Sequence, residues 1–204
     1  MVKFSPFGNR VWGTYFGGSD MDHAVGSALS GNGSIYIAGW TYSDNNISTP
    51  GCHQPARGGS QDGFLAKFDL NGIRLWSTYY GGTAMEESGW CATAPGCVFL
   101  TGNTASQNGI STPGSYQPAK AGDVDIFLVK FNENGVRQWG TYYGGTGTES
   151  VGNVAITDNG TILLCGETTS SSGIATSGTW QPVFGGSWDG LLVAMDLNGQ
   201  RLWG

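Results

Sequence analysis

Charge is scarce in this chain: nine Lys and Arg and 15 Asp and Glu make up 12% of its 204 residues, for a formal net charge of −6. The basic residues are scattered singly, so no stripe exists that a phosphate backbone or an anionic lipid surface would select, and nucleic acid is not an expected partner. No apolar run is long enough to cross a bilayer, and no charged-then-apolar leader follows Met1, so neither membrane insertion nor a signal within this stretch is expected. Histidine is limited to His23 and His53, which fall in different parts of one repeat without an adjacent nucleophile and carboxylate. The four cysteines form no CxxC pair, which argues against a cysteine-held metal. Cys91 and Cys97 flank Ala-Thr-Ala-Pro-Gly, a hairpin turn, and a disulfide between them is an open expectation that would favour an oxidising compartment.

What is abundant is glycine, at 36 residues, among short apolar runs punctuated by Gly, Asn, Ser and Thr. That composition predicts an all-β chain of tight turns. One stretch organises it: Trp12-Gly-Thr-Tyr-Phe-Gly-Gly18 returns as Trp76-Ser-Thr-Tyr-Tyr-Gly-Gly82 and as Trp139-Gly-Thr-Tyr-Tyr-Gly-Gly145, and begins again at Trp203-Gly204. The tryptophans are spaced 64, 63 and 64 residues apart, the mark of a repeat protein.

Each unit reads as four antiparallel strands, here A to D. In the third, A is Glu149 to Ile156 and ends in Thr157-Asp-Asn-Gly160, B is Thr161 to Thr168, and a connection of about 20 residues rich in Ser, Gly and Pro leads to C at Gly190 to Asp196. Asn71-Gly72, Asn134-Gly135 and Asn198-Gly199 suit two-residue hairpins into strand D. Within Arg74 to Tyr80, Trp76, Thr78 and Tyr80 share one face and Leu75, Ser77 and Tyr79 the other, so aromatics on both faces predict a strand packed between neighbouring sheets. Four-stranded units recurring around an axis predict a β-propeller, with a β-solenoid as the alternative. The expected division is a partial blade at 1–18 and blades at 19–82, 83–145 and 146–204, the last with its outer strand cut short.

The spaced pattern W-x-T-Y-Y-G-G, an acidic residue four positions on, G-x-T-x-S, T-P-G-x-x-Q-P, D-x-F-L-x-K-F, N-G and W resembles the bacterial beta-propeller repeat family called SBBP, over nearly the whole chain. The resemblance implies an extracellular or cell-surface bacterial protein, in wording like that of Bacteroidetes members commonly exported by type IX secretion, and it implies no catalytic activity. The chain departs from the pattern at Ser19-Asp-Met-Asp22-His23 and at Trp90-Cys91.

The D-to-A bend and the B-to-C loop emerge on one side, which gathers the repeated polar residues. Asp22, Glu86 and Glu149 follow each Gly-Gly; Gln54, Gln117 and Gln181 recur in the loop after His53, Tyr116 and Trp180; Asp62, Asp125 and Asp189 precede strand C. Two readings stand. The carboxylates and glutamines tie the long loop to backbone N–H groups of the bend, or they form a ligand face: Asp22, Glu86 and Glu149 holding Ca²⁺, the only cofactor considered, and the Gln and Asp sets holding a glycan with Tyr116 and Trp180 as stacking platforms. Trp40 and Trp90 stand out too, where other repeats carry Asn103 or Glu167 and Ser27 or Asn153. Symmetric carboxylates suit a glycosidase poorly, since catalysis needs two different environments, and no enzyme is expected. Three blades do not close a ring, for which four to eight are typical, so the expected partner is a second copy completing six blades or further blades of a longer chain, with a glycan or a surface protein as the other candidates.

Overall fold

A computed structural model describes the backbone of residues 1–204 and every side chain except that of Ser88. No helix occurs among the described residues; the chain is all β. Strands β1 (Val2–Phe4) and β2 (Arg10–Gly13) pair as a short hairpin. Three antiparallel four-stranded sheets follow. The first runs β3 (Asp22–Leu29), β4 (Ile35–Thr41), β5 (Asp62–Phe68), β6 (Arg74–Tyr80); the second β7 (Glu86–Ala94), β8 (Cys97–Thr104), β9 (Asp125–Asn132), β10 (Arg137–Tyr143); the third β11 (Glu149–Ile156), β12 (Ile162–Thr168), β13 (Asp189–Met195), β14 (Arg201–Trp203). No sheet closes on itself: in each, sequence order is spatial order.

The aromatics on both faces of strand D do pack between sheets. Tyr79 lies in a cluster with Ile37, Phe64 and Phe68 on one face of the first sheet, joined by Phe16 from the N-terminal hairpin. Tyr80, on the opposite face, lies in a cluster shared with Val98, Leu100, Phe127 and Phe131 of the second. Tyr143 repeats this between the second sheet and Val151, Leu164, Leu191 and Val193 of the third. Each interface therefore buries a continuous apolar layer contributed by two successive units, which no unit could bury alone. Strand β7 lies against both β3 and β11, and at Gly26 a Cβ would overlap the Gly89 carbonyl, so the first strands of the units approach backbone to backbone.

Three local expectations change. Gly72 N–H donates to the Asp69 carbonyl (3.1 Å) and Asp69 N–H to that of Ile73 (2.9 Å), so the C-to-D loop has three residues, Leu70-Asn71-Gly72, rather than two. The Asp69 carboxylate accepts from Asn71 and Ile73 N–H, which fixes that longer loop. The first strand D, expected to run through the aromatics, is a strand only over Arg10–Gly13, where it pairs with Val2–Phe4. And Cys91 and Cys97 are free and lie on opposite faces, Cys91 in the layer toward the first sheet and Cys97 in that toward the third. Ala94 pairs with Cys97 and Cys91 with Leu100, an odd offset of three positions along the strand, so the thiols point apart.

Successive units are also stitched by hydrogen bonds. Trp12 Nε1 donates to the Leu70 carbonyl (3.0 Å), Trp76 Nε1 to Glu133 (2.9 Å) and Trp139 Nε1 to Leu197 (3.2 Å). Lys3, Lys67 and Lys130 Nζ reach the same three carbonyls. The indoles lie on Gly72, Gly135 and Gly199, where a Cβ would come within about 2.8–3.1 Å of the ring. Glycine in the N-G turn thus serves the next-door tryptophan as well as the turn's positive φ.

Candidate functional site

The polar side of the sheets begins at the bend after strand D. Gly82 N–H donates to Glu86 Oε2 (2.8 Å) and Thr104 Oγ1 to its Oε1 (2.7 Å); Gly145 N–H and Thr168 Oγ1 hold Glu149 in the same way (2.9 and 2.6 Å). Asp22 accepts from Gly18 N–H (2.7 Å), Thr41 Oγ1 and Ser43 Oγ. Glu86 and Glu149 are fully buried, Asp22 half-buried at the open end. Each candidate calcium ligand is therefore spent on its own bend, and among the described residues no three His, Cys, Asp or Glu side chains converge to hold an ion. The Thr-x-Ser pairs Thr41/Ser43, Thr104/Ser106 and Thr168/Ser170 that complete these cages entered the sequence reading only as part of the repeated pattern, with no role assigned, although their recurrence in every unit was the signal.

The Gln and Asp sets hold the long loop. Gln54 Nε2 donates to Asp62 Oδ2 (2.7 Å) and the Ala56 carbonyl, while its Oε1 accepts from Gly81 N–H (3.0 Å); Asp62 also accepts from Gly58 and Gly59 N–H. Gln117 and Asp125 repeat the arrangement with Ala119, Gly144, Ala121 and Gly122. In the third unit Gln181 Nε2 reaches Asp189 Oδ2 at 3.2 Å and Gly185 N–H binds the same carboxylate.

Sequence spacing assigned Asp62 and Glu86 to different sets, yet the fold brings them to either side of Gly81, where a Cβ would overlap both carboxylates; Asp125 and Glu149 flank Gly144 likewise. Burial pushes the Glu86 carboxyl up, opposed by bonds from Ser106, Thr104 and Gly82 and reinforced by the Asp62 charge. Burial also pushes Asp62 up against the donors Gly58, Gly59 and Gln54. These are carboxylates with every donor supplied by the protein, which is the chemistry of a structural latch.

Of the aromatic platforms, Tyr116 stacks on Tyr143 (centroids 6.3 Å apart) under the Arg201 guanidinium, and its counterpart His53 lies 6.1 Å from Tyr80. Burial, then the Arg137 charge, lowers the His53 pKa to about 4, so the imidazole is neutral. Trp180, the third member, is fully exposed. Trp40 stacks edge-on between His23 and Tyr42, and Trp90 packs into the apolar layer toward the third unit. The ladder puts Gly26, not Ser27, at the place of Trp90 and Asn153: each stands just past the bulge of its first strand, four residues after Asp22, Glu86 and Glu149. The ring contacts of the two histidines are with aromatics, His23 with Trp40 and His53 with Tyr80 and Phe131. What remains open to a ligand is the third unit, where Trp180 and Gln181 border a cleft of about 480 Å³. The chain matches no family model and no curated protein, so the likeness to the bacterial propeller repeat rests on its repeated motifs.

Proposed function

We propose that the chain is a run of β-propeller blades of the SBBP type that works outside the cell as a non-catalytic scaffold or adhesion module, through blade-to-blade assembly and its long-loop face. The observation that carries this is the repeated clamp: Trp12, Trp76 and Trp139 each donate to a turn carbonyl of the following unit. Units joined by one reiterated contact are suited to extension in the same sense, whether by more blades or by another copy. The polar residues that a catalytic or calcium-binding face would use are engaged in holding the loops of their own units. Antibody labelling tests the placement: intact cells of the producing organism should stain without permeabilisation, and staining confined to the cytosol would refute it. A panel of glycoside, ester and peptide substrates should give no turnover, and turnover abolished by Glu149→Gln would replace the scaffold with an enzyme.

A further inference from the structure

We propose that Asn108 is a site of spontaneous covalent modification: its side-chain amide closes on the Gly109 nitrogen, ammonia leaves, and the isoaspartyl product loosens the junction between the first and second sheets. The reaction needs only water and stands apart from the scaffold reading.

Six Asn-Gly pairs occur, at 32–33, 71–72, 108–109, 134–135, 159–160 and 198–199. With no Cβ, glycine leaves its nitrogen unshielded, so each pair holds the two groups that can close a cyclic imide. Five of them are locked. Gly33, Gly72, Gly135, Gly160 and Gly199 N–H each donate to a carbonyl three residues back, those of Ser30, Asp69, Asn132, Thr157 and Asp196, at 2.9–3.1 Å. The nitrogen that would attack is held in a turn. Gly109 lies instead in an exposed bend with φ +79°, and its N–H makes no hydrogen bond among the described residues. Its repeat equivalents lack the chemistry: Asn45 is followed by Asn46, whose side chain crowds the nitrogen, and the third unit carries Ser172-Gly173, with no amide to lose.

The Asn108 amide is also activated at its oxygen. Oδ1 accepts from Thr83 N–H (3.2 Å) and Thr83 Oγ1 (3.3 Å), two donors on the atom that gathers negative charge when the amide carbon becomes tetrahedral. The Gly109 nitrogen gives its proton to hydroxide and adds to Cγ; the Cγ–Nδ2 bond breaks, Nδ2 takes a proton and leaves as ammonia, and an imide joins Cγ to the Gly109 nitrogen. Water then opens the imide. Attack at Cγ gives aspartate, and attack at the former main-chain carbonyl gives isoaspartate, with the chain rerouted through the side chain and one methylene longer. The net change is one water taken up and one ammonia lost.

The longer chain has no room. A Cβ on Gly82 would overlap the Asn108 carbonyl, and one on Gly109 would meet the Gly81 carbonyl at 2.7 Å and Gly82 Cα at 2.9 Å. The next residue, Ile110, is fully buried, and its carbonyl accepts from Tyr80 Oη (2.6 Å). Residues 108–110 of the second unit therefore seat the end of the first unit's strand D. An added methylene displaces Gly109 from the Gly-Gly bend or Ile110 from Tyr80, and the two sheets lose part of their junction.

Peptide mapping of the purified chain, sampled over time in mildly alkaline buffer, tests this. The peptide holding Asn108 should become heavier by one mass unit before any other, with matching release of ammonia and with isoaspartyl methyltransferase labelling the same peptide. Conversion there should be about fivefold or more faster than at the other five pairs, since freeing one of their glycine amides costs a hydrogen bond. In urea, with every turn gone, the six rates should draw level. The converted fraction, separated on an anion exchanger by its added carboxylate, should melt about 2–4 °C lower, the shift for one lost hydrogen bond in a chain of this size. Asn108→Ser, which copies Ser172, should fold and lose the early ammonia. Conversion at Asn108 no faster than at the other five in the folded chain overturns the proposal. So does early ammonia that persists in Asn108→Ser, or an isoaspartyl fraction that melts with the parent.

Discussion

Trp76 and Glu133 stand 57 residues apart in sequence, yet the Trp76 indole N–H donates to the Glu133 carbonyl at 2.9 Å and its ring lies on Gly135 of the same turn. The contact couples two sheets through a hydrogen bond and a flat packing surface at once. Trp76→Phe keeps most of the packing and loses the bond, and should lower stability by about 1 kcal/mol in urea unfolding. Gly135→Ala should cost about 1–2 kcal/mol, since φ is +78° and the new methyl would press on the indole at 3.0 Å. An unchanged urea midpoint in both variants would show that the clamp does not join the units.

Glu149→Ala strands the Gly145 N–H, Thr168 Oγ1 and Ser170 Oγ in a buried place and should cost about 3 kcal/mol or more. Asp22→Ala, at the half-exposed first bend, should cost distinctly less because water can reach the freed donors. Calcium titration followed by thermal melting should leave the wild-type transition where it is, because these carboxylates already have their partners; a rise that disappears in Glu149→Gln would restore the metal reading.

Acid should weaken the fold through His53. Its folded pKa of about 4 lies below the ordinary 6.5, so between these values the unfolded chain takes up a proton that the folded chain refuses, and stability falls as pH drops through that window. His53→Tyr, which copies Tyr116, should remove this part of the pH dependence. The raised Asp62 and Glu86 carboxyls act in the opposite sense, since the folded form binds their protons first, and they are common to both proteins. The difference between the two melting curves from pH 7 to pH 4 therefore reports His53 alone.

Thiol labelling of the native protein should modify the exposed Cys165 first and spare Cys91 and Cys97. Burial raises the Cys91 pKa to about 12, which suppresses the reactive thiolate. Reductant should not change the melting temperature. A mass two protons short, traced to Cys91 and Cys97, would contradict the opposite-face placement.

Much of this was legible in the sequence, for identifiable reasons. Alternation around Arg74 to Tyr80 marks a strand with two apolar faces, and both are buried over Ser77 to Tyr80, while Leu75 is exposed. The Gly-Gly bend and the glutamine at the head of each loop mark a repeated tie, and the tie is there. What stayed hidden depended on register. The pairing of Ala94 with Cys97 decides which way each thiol faces. Asp62 and Glu86, 24 residues apart and in different units, meet across Gly81 only because the bend folds one unit onto the next. Trp180 had the right chemistry for a sugar platform, and it stands fully exposed at the rim of the cleft, whereas Tyr116 stacks on Tyr143.

The central claim is that successive units pack face to face in sequence order, and one cross-link tests it most directly. Asn32 Nδ2, in the A-to-B turn of the first sheet, donates to Glu133 Oε1 in the C-to-D turn of the second at 2.8 Å. In Asn32→Lys, carbodiimide should join the introduced amine to the Glu133 carboxylate within a single chain, seen as one cross-linked peptide pair by mass spectrometry at low protein concentration. A cross-link from that amine that bypasses Glu133 for carboxylates of the third unit would contradict the order and tilt of the sheets on which the whole account depends.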